Sequence, residues 1–320
     1  MVDDPRQVKR VAVIGTGTIG ASWAAYFLAR GLEVQASDPA SDGEERLRRA
    51  IDRAWPALTQ LGLAPQADPS RVRFYRDPRE AVQGVHFIQE NAPERLPIKL
   101  ELLRQIDDAM PADAVFSSST SGLLISDMQA GRKNAERYVT GHPFNPPHLI
   151  PLVEVVGGKL THPAVVDWAM AFYTAIGKKA IRLHKEVPGH LVNRLQAALW
   201  REAVHAVASG IASVADVDTG IAYGPGLRWA LMGPHMIFAL AGGEGGMAGY
   251  LKHFGPPIQD WWADLGRPEL TSAVCNQLIQ GVADEAGGRS VEQIARERDA
   301  LLIALLGTLA KARADLGGNS

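Results

Sequence analysis

Residues 11–20 read Val11-Ala12-Val13-Ile14-Gly15-Thr16-Gly17-Thr18-Ile19-Gly20, a short apolar run that passes directly into three glycines spaced G-x-G-x-x-G. The apolar run reads as a buried strand. The stretch Ala21 to Arg30 that follows carries helix formers with an apolar stripe, and Gly31 stands where a helix closes. A second strand, Glu33 to Ser37, ends at Asp38. In the order strand, glycine turn, helix, strand, acid, the three glycines serve different ends. Gly15 permits the tight turn, Gly17 lets backbone approach a pyrophosphate, and Gly20 lets helix and strand pack closely. The helix start at Thr18 and Ile19 offers free N–H groups and a positive partial charge to phosphates. Asp38, 18 residues past Gly20, is placed to accept hydrogen bonds from an adenosine ribose. No arginine follows it in Pro39 to Asp42, and a carboxylate without a basic neighbour repels a 2′-phosphate, so NAD is expected over NADP. The plain alternative, a Gly-rich turn with a surface acid, is disfavoured because all three context conditions are met.

Outward from this unit the pattern repeats. A helical period covers Glu44 to Leu63, with Leu47, Ala50, Ile51, Ala54 and Leu58 on one face. Strands are expected at Arg71–Phe74, Val85–Ile88, Ala114–Ser117, Leu152–Val156 and Lys179–Leu183, with helices at Leu100–Asp108 and His162–Ile176. Strands alternating with helices argue for parallel pairing. After Pro188 no strand pattern appears: His190 to Ser209 is helical, and a last long helix starts at Ser290, with Gln293 in the capping-box position, and runs to about Ala314. The expected fold is therefore an α/β domain over residues 1–187 followed by an all-helical domain over 188–320.

The chemistry-bearing residues cluster in four stretches: Ser117 to Gly122, Gly141-His142-Pro143-Phe144-Asn145-Pro146-Pro147, Glu154, and Pro188-Gly189-His190-Leu191-Val192-Asn193-Arg194. Hydride transfer from a secondary alcohol needs a base for the hydroxyl proton, and a neutral imidazole held in one tautomer by a carboxylate is suited to it near neutral pH. His142, on a proline-braced loop, and Glu154, on the following strand, fit that pair, with Ser121 and Asn193 placed to hydrogen-bond the substrate oxygen as it becomes a carbonyl. Singly, each has a bland reading as structural histidine, loop serine or helix cap; jointly, behind a dinucleotide fingerprint, they read as a site.

These motifs resemble the 3-hydroxyacyl-CoA dehydrogenase family over nearly the whole chain, through Gly-His-Pro-Phe-Asn-Pro-Pro, Leu152-Val153-Glu154 and Pro-Gly-His-Leu-Val-Asn-Arg. The resemblance implies a Rossmann-like domain with NAD in its cleft, a helical C-terminal domain that binds substrate and forms a homodimer, and His142 as base with Glu154 as its partner. It also places Glu94 and Lys99 on the nicotinamide side of the cleft. The run Ser118-Ser119-Thr120-Ser121, the Pro at 143, and a lysine-free segment from Ala50 to Phe74 depart from members acting on CoA thioesters. They look like the branch that oxidises free small hydroxy acids, carnitine and gulonate among them, a branch that includes a crystallin. Ala54-Trp55-Pro56-Ala57-Leu58 and the stretch from Gly224 to Pro256 are similar to the carnitine-oxidising members.

The helical end carries Tyr223, Trp229, Phe238, Tyr250, Phe254, Trp261 and Trp262, with Glu244 among them. Aromatic faces suit a trimethylammonium, which has no hydrogen to donate. Arg228 suits a carboxylate in bidentate fashion, so Arg228, Trp229 and Phe238 are expected substrate contacts, although for most of these aromatics, taken singly, packing is the simpler role. The balance of 33 Lys+Arg against 35 Asp+Glu lacks the footprint of a nucleic-acid binder. The single cysteine, Cys275, forms no internal disulfide and reads as packing in a reducing, cytoplasmic setting. No signal peptide, membrane span or metal site is read from the chain. The alternatives carried alongside are oxidation of gulonate or of 3-hydroxybutyryl-CoA, and a non-catalytic dinucleotide-binding protein.

Overall fold

The computed structural model describes residues 4–317. Its elements run β1 (Arg10–Ile14), α1 (Thr18–Ala29), β2 (Glu33–Ser37), α2 (Gly43–Leu61), β3 (Val72–Tyr75), α3 (Pro78–Ala81), β4 (Phe87–Glu90), α4 (Leu96–Ile106), β5 (Val115–Ser118), α5 (Ile125–Gln129), β6 (Tyr138–Pro143), β7 (Leu152–Gly157), α6 (Pro163–Ala175) and β8 (Lys179–Arg182). Helices α7 (Val192–Ala208), α8 (Val214–Tyr223), α9 (Pro225–Trp229), α10 (Pro234–Ala241), α11 (Gly246–Asp264), α12 (Ser272–Ala286) and α13 (Val291–Asp315) follow. The chain divides into two compact units, Met1–Asn193 and Arg194–Ser320.

In the first unit one eight-stranded sheet is ordered β3-β2-β1-β4-β5-β6-β7-β8. Both faces are covered, and the period of two along each strand decides which side chain goes where. Val11, Val13, Phe87 and Val115 join the layer built on α1, α2 and α6 with Trp23, Phe27, Leu47 and Phe172. Ala12, Ile14, Ile88 and Phe116 join the opposite layer with Leu103, Ile106 and Met128. Trp23 stacks on Phe27 at 5.1 Å between ring centroids, and burial of a side chain of this size stabilises by about 1.5–3 kcal/mol.

Two expectations need correction. The segment holding His142 is a strand, β6, not a proline-braced loop. Its pairing with β7 is antiparallel, so the sheet is not wholly parallel, and the register sets His142 directly opposite Glu154. Gly141 and Pro143 disguise β6 in the sequence, since both are poor strand formers. Gly141 has a reason to be glycine: a Cβ there would lie 2.1 Å from the Tyr173 hydroxyl and 2.3 Å from Ser117 Oγ.

The second unit is helical among its described residues. Ser290 caps α13 with Gln293 completing the capping box, as the sequence implies, and Ser213 with Asp216 does the same for α8. Val204 and Tyr250 are its buried hydrophobic side chains, whereas Trp261 and Trp262 are 63% and 67% exposed.

Candidate active site

A cleft of about 640 Å³ opens at the C-terminal ends of β1, β2 and β4. Its lining includes Gly15, Gly17, Asp38, Asn91 and Ser121. The fingerprint glycines differ in what surrounds them. Gly15 has φ +86°, a conformation side chains rarely adopt, and a Cβ on it would meet Asn91 at 2.8 Å. A Cβ on Gly20 would lie 1.8 Å from Gly15 O, so helix and turn touch there. A Cβ on Gly17 would meet nothing within 4 Å, because that position faces open space. Gly17 is the N-cap of α1 and offers no side-chain cap, which leaves the first-turn N–H groups to the cleft. Thr18 and Ile19 also line it. The Thr16 hydroxyl is buried without a hydrogen-bond partner. Asp38 accepts Thr16 N at 2.8 Å and Ala40 N at 3.0 Å, which fixes its carboxylate at the end of β2. Open glycine backbone, uncapped N–H groups and a fixed carboxylate suit the phosphates and ribose of a dinucleotide.

His142 is 4% exposed, and its Nδ1 lies 2.8 Å from Glu154 Oε2. An ionised carboxylate only accepts, so Nδ1 carries the hydrogen and Nε2 is left with its lone pair. The other oxygen, Oε1, accepts Leu191 N at 3.0 Å and Val192 N at 2.9 Å. Burial alone pushes the Glu154 carboxyl up, but the bonds from His142 and from the Val192 and Leu191 amides outweigh it and hold the group below its ordinary range. This arrangement can accept a proton at Nε2 while the carboxylate steadies the resulting imidazolium.

The segment entering α7 also holds the loop after β5. His190 has φ +50°, and its Nε2 donates to Thr120 O at 2.9 Å. Its Nδ1 is buried without a partner, and its ring lies 5.2 Å from that of His142. Burial lowers the His190 pKa, which keeps the ring neutral. Asn193, near the start of α7 as expected, donates from Nδ2 to Ser121 O at 3.1 Å. Glu94 Oε1 accepts Thr120 Oγ1 at 2.6 Å, Ser121 N at 2.8 Å and Gly122 N at 3.0 Å. Burial raises the Glu94 carboxyl, yet the Thr120 bond, the Lys99 charge and the two amides leave it lowered overall.

Lys99 is 1% exposed and builds the cleft wall: its Nζ donates to Glu90 Oε1 at 2.7 Å and Ala92 O at 2.9 Å, with Glu94 at 3.7 Å. Nothing in the sequence assigns a part to Glu90, nor to the chain of hydroxyls and amides beneath it. Tyr173 OH donates to Gln89 Oε1 at 2.6 Å, Gln89 Nε2 donates to Ser119 Oγ at 2.8 Å, and Ser119 Oγ donates to Asn91 Oδ1 at 2.7 Å. Gln89 Nε2 also reaches Gly141 O, next to His142, at 3.3 Å. The one local signal is Gln89-Glu90-Asn91, three polar residues closing an apolar strand.

In the helical unit Arg228 and Trp229 end α9, and Trp229 is 39% exposed. Phe238 stacks on Tyr250 at 4.9 Å between centroids, so one of its faces is already engaged. Cys275 is part-exposed, with its thiol 3.7 Å from Leu270 O. Among the described residues no group of three or more His, Cys, Asp or Glu is arranged to hold a metal ion.

A Rossmann-like sheet with a dinucleotide cleft, followed by a helical C-terminal domain, defines the class: an NAD-dependent dehydrogenase acting on CH–OH. Residues 10–187 match the NAD-binding domain of 3-hydroxyacyl-CoA dehydrogenase and residues 189–287 match its C-terminal domain; the chain belongs to that family. It is 54% identical over 302 residues to an L-carnitine dehydrogenase of Streptomyces griseus, covering 94% of this chain and 90% of that one. Against an L-carnitine dehydrogenase of Pseudomonas putida it is 43% identical over 311 residues, covering 97% of both. Among solved structures it is similar to 5-formyl-3-hydroxy-2-methylpyridine 4-carboxylic acid 5-dehydrogenase, an NAD-dependent dismutase, with TM-score 0.83, 31% identity, and coverage of 95% of this chain and 99% of that one.

Proposed function

We propose that this chain oxidises the 3-hydroxyl of L-carnitine to 3-dehydrocarnitine with NAD, using His142 as general base. The observation that carries the mechanism is the His142–Glu154 pair, whose single hydrogen-bonding solution leaves Nε2 bare. Bound NAD supplies the hydride acceptor. His142 Nε2 takes the hydroxyl proton, and Glu154 holds the ring and stabilises its positive charge. Ser121 and Asn193 hydrogen-bond the substrate oxygen as it turns into a carbonyl, and Glu94 and Lys99 order the wall on the nicotinamide side. Gly15, Gly17, Thr18, Ile19, Gly20 and Asp38 hold the pyrophosphate and adenosine ribose. In the helical unit, Arg228 suits the substrate carboxylate, and Trp229 with the open face of Phe238 suits the trimethylammonium. The choice of carnitine is supported by the carnitine dehydrogenases at 43% to 54% identity.

A cofactor domain over 1–187 and a substrate and dimerisation domain over 188–320 complete the reading. A homodimer through the helical domain is supported by its exposed apolar side chains, Tyr223 at 79% and Trp262 at 67% among them. A cytoplasmic setting accords with the lone Cys275. Purified protein given NAD and L-carnitine at alkaline pH is expected to form NADH, and His142→Ala is expected to abolish this with NAD binding retained. Turnover of gulonate or 3-hydroxybutyryl-CoA in place of carnitine overturns the substrate assignment; turnover by His142→Ala overturns the mechanism.

A further inference from the structure

The sequence shows no arginine beside Asp38, yet the fold brings one to the same turn from the end of β3. Arg76 lines the cleft together with Asp38, Pro39 and Pro78. Its Nη1 donates to Ala40 O at 3.3 Å and its Nη2 to Ser41 O at 3.0 Å. Asp38 Oδ1 accepts Ala40 N at 3.0 Å, so the acid and the guanidinium grip opposite sides of one peptide residue in the turn between β2 and α2. Of its neighbours in sequence, Arg71 pairs with Glu33 at 3.0 Å and Arg79 pairs with Asp77, while Arg73 lines a separate depression beside Glu33 and Arg71 and not this cleft. Among the described residues Arg76 makes no ion pair. It is an exposed cation at the rim of a nucleotide-sized cleft, oriented by bonds to two backbone carbonyls.

We propose that Arg76 is the adenosine-binding arginine of this cleft, its guanidinium plane lying against the adenine base, and that Asp38 alone prevents it from recruiting a 2′-phosphate. A guanidinium stacks on an aromatic plane and pairs with phosphate through the same flat group, so one side chain serves both contacts. In the native chain the Asp38 carboxylate repels a 2′-phosphate before Arg76 can hold it. With the carboxylate gone, the cation already stands on the turn where that phosphate would sit. NAD specificity then rests on one acid set against a neighbouring cation, rather than on the lack of any cation.

The inference rests on the cleft being the NAD site, and the probes separate the two claims. Full-length protein is titrated calorimetrically with AMP, adenosine 2′,5′-bisphosphate and nicotinamide mononucleotide, and melting temperatures are recorded for every variant. Arg76→Ala is expected to weaken AMP about two- to fivefold, the size of an exposed cation–π contact, with nicotinamide mononucleotide unchanged. Asp38→Ser is expected to raise the affinity for adenosine 2′,5′-bisphosphate relative to AMP by roughly tenfold, the scale of a charge-assisted arginine–phosphate bond, and Asp38→Ser/Arg76→Ala to lose that gain. AMP affinity unchanged in Arg76→Ala, or a gain that survives in the double variant, overturns the proposal. If Arg76 only ties the turn together, Arg76→Ala lowers the melting temperature and weakens all three probes alike, which also overturns it. If none of the probes binds the unmodified protein, the cleft is not the NAD site, and the fault lies with that assignment.

Discussion

Glu154→Gln keeps the shape of the side chain and changes one thing: a group that only accepts becomes one that accepts on one side and donates on the other. Glu154 receives three hydrogens, from His142 Nδ1 at 2.8 Å and from the amides of Leu191 and Val192 at 3.0 and 2.9 Å. A glutamine can place its carbonyl toward the two amides or toward the imidazole, but not both. Turning its NH₂ toward the amides leaves two backbone donors facing a donor, each costing about 1–3 kcal/mol. The carbonyl therefore stays with Leu191 and Val192, and the NH₂ faces Nδ1. His142 must then present its lone pair at Nδ1 and carry its hydrogen on Nε2, the nitrogen required to take the substrate proton. Loss of the negative charge that steadies the imidazolium removes a further ~1.5–3 kcal/mol. Together these correspond to a fall in kcat of about 10²–10⁴-fold. The assay is single-turnover NADH formation, with NAD affinity and melting temperature measured on the same preparation. NAD affinity is expected to stay within about twofold, since no phosphate or ribose contact is touched. A variant whose kcat stays within about tenfold of the unmodified chain would show that the carboxylate does not set the tautomer, and the assignment of Nε2 as base would fall with it.

Two further outcomes follow from contacts at single positions. Gly17→Ala is expected to keep its melting temperature and to bind NAD about tenfold more weakly, because its Cβ enters the open cleft, whereas Gly20→Ala is expected to lose stability by about 1–3 kcal/mol because its Cβ lands on Gly15 O; equal melting temperatures for the two variants count against this division of labour. For His190 the folded pKa lies below the ordinary value of 6.5, so the unfolded chain takes up the proton first and the stability of the neutral ring, present above that value, is lost as pH falls through it. His190→Asn, a residue that tolerates positive φ, should therefore flatten the acid side of the melting curve between about pH 7 and pH 5; parallel curves for the two proteins would refute a buried neutral imidazole.

The nucleotide half of the fold is legible in the sequence because its signals are local. Val11 to Gly20 places strand, turn and helix within one window, and Glu33 to Ser37 comes out as strand β2 with the expected limits. The base pair is legible as residue types but not as geometry. Nothing near His142 announces a strand, since Gly141 answers to Tyr173 and Ser117, which are distant in sequence, and the opposition of His142 and Glu154 is a matter of antiparallel register. Arg76 and Glu90 escape a reading of the sequence for the same reason: their parts depend on Ala40, Ser41 and Lys99, and no spacing rule links them. Nor does the aromatic content of the helical end reveal which rings are engaged, as Phe238 against Tyr250 illustrates.

The six residues Pro188 to Asn193 connect these parts. Leu191 and Val192 give their amides to Glu154, His190 gives Nε2–H to Thr120 O, and Asn193 gives Nδ2–H to Ser121 O. One turn of backbone thus orients the carboxylate that sets the tautomer of His142 and also pins the loop that carries Ser121 to the cleft. Glu94 grips that loop from the other side through Thr120, Ser121 and Gly122, and Lys99 ties Glu94 to Glu90 at the end of β4. The left-handed conformation of His190, uncommon for a side-chain-bearing residue, makes sense in this setting. It turns the chain between the two anchor points, so that consecutive residues can serve Thr120 and Glu154. Strain in this turn would then move base and loop together, and damage to it should lower kcat and weaken the fit of the substrate oxygen in the same step, where Glu154→Gln, which keeps a carbonyl for the Leu191 and Val192 amides, touches only the first.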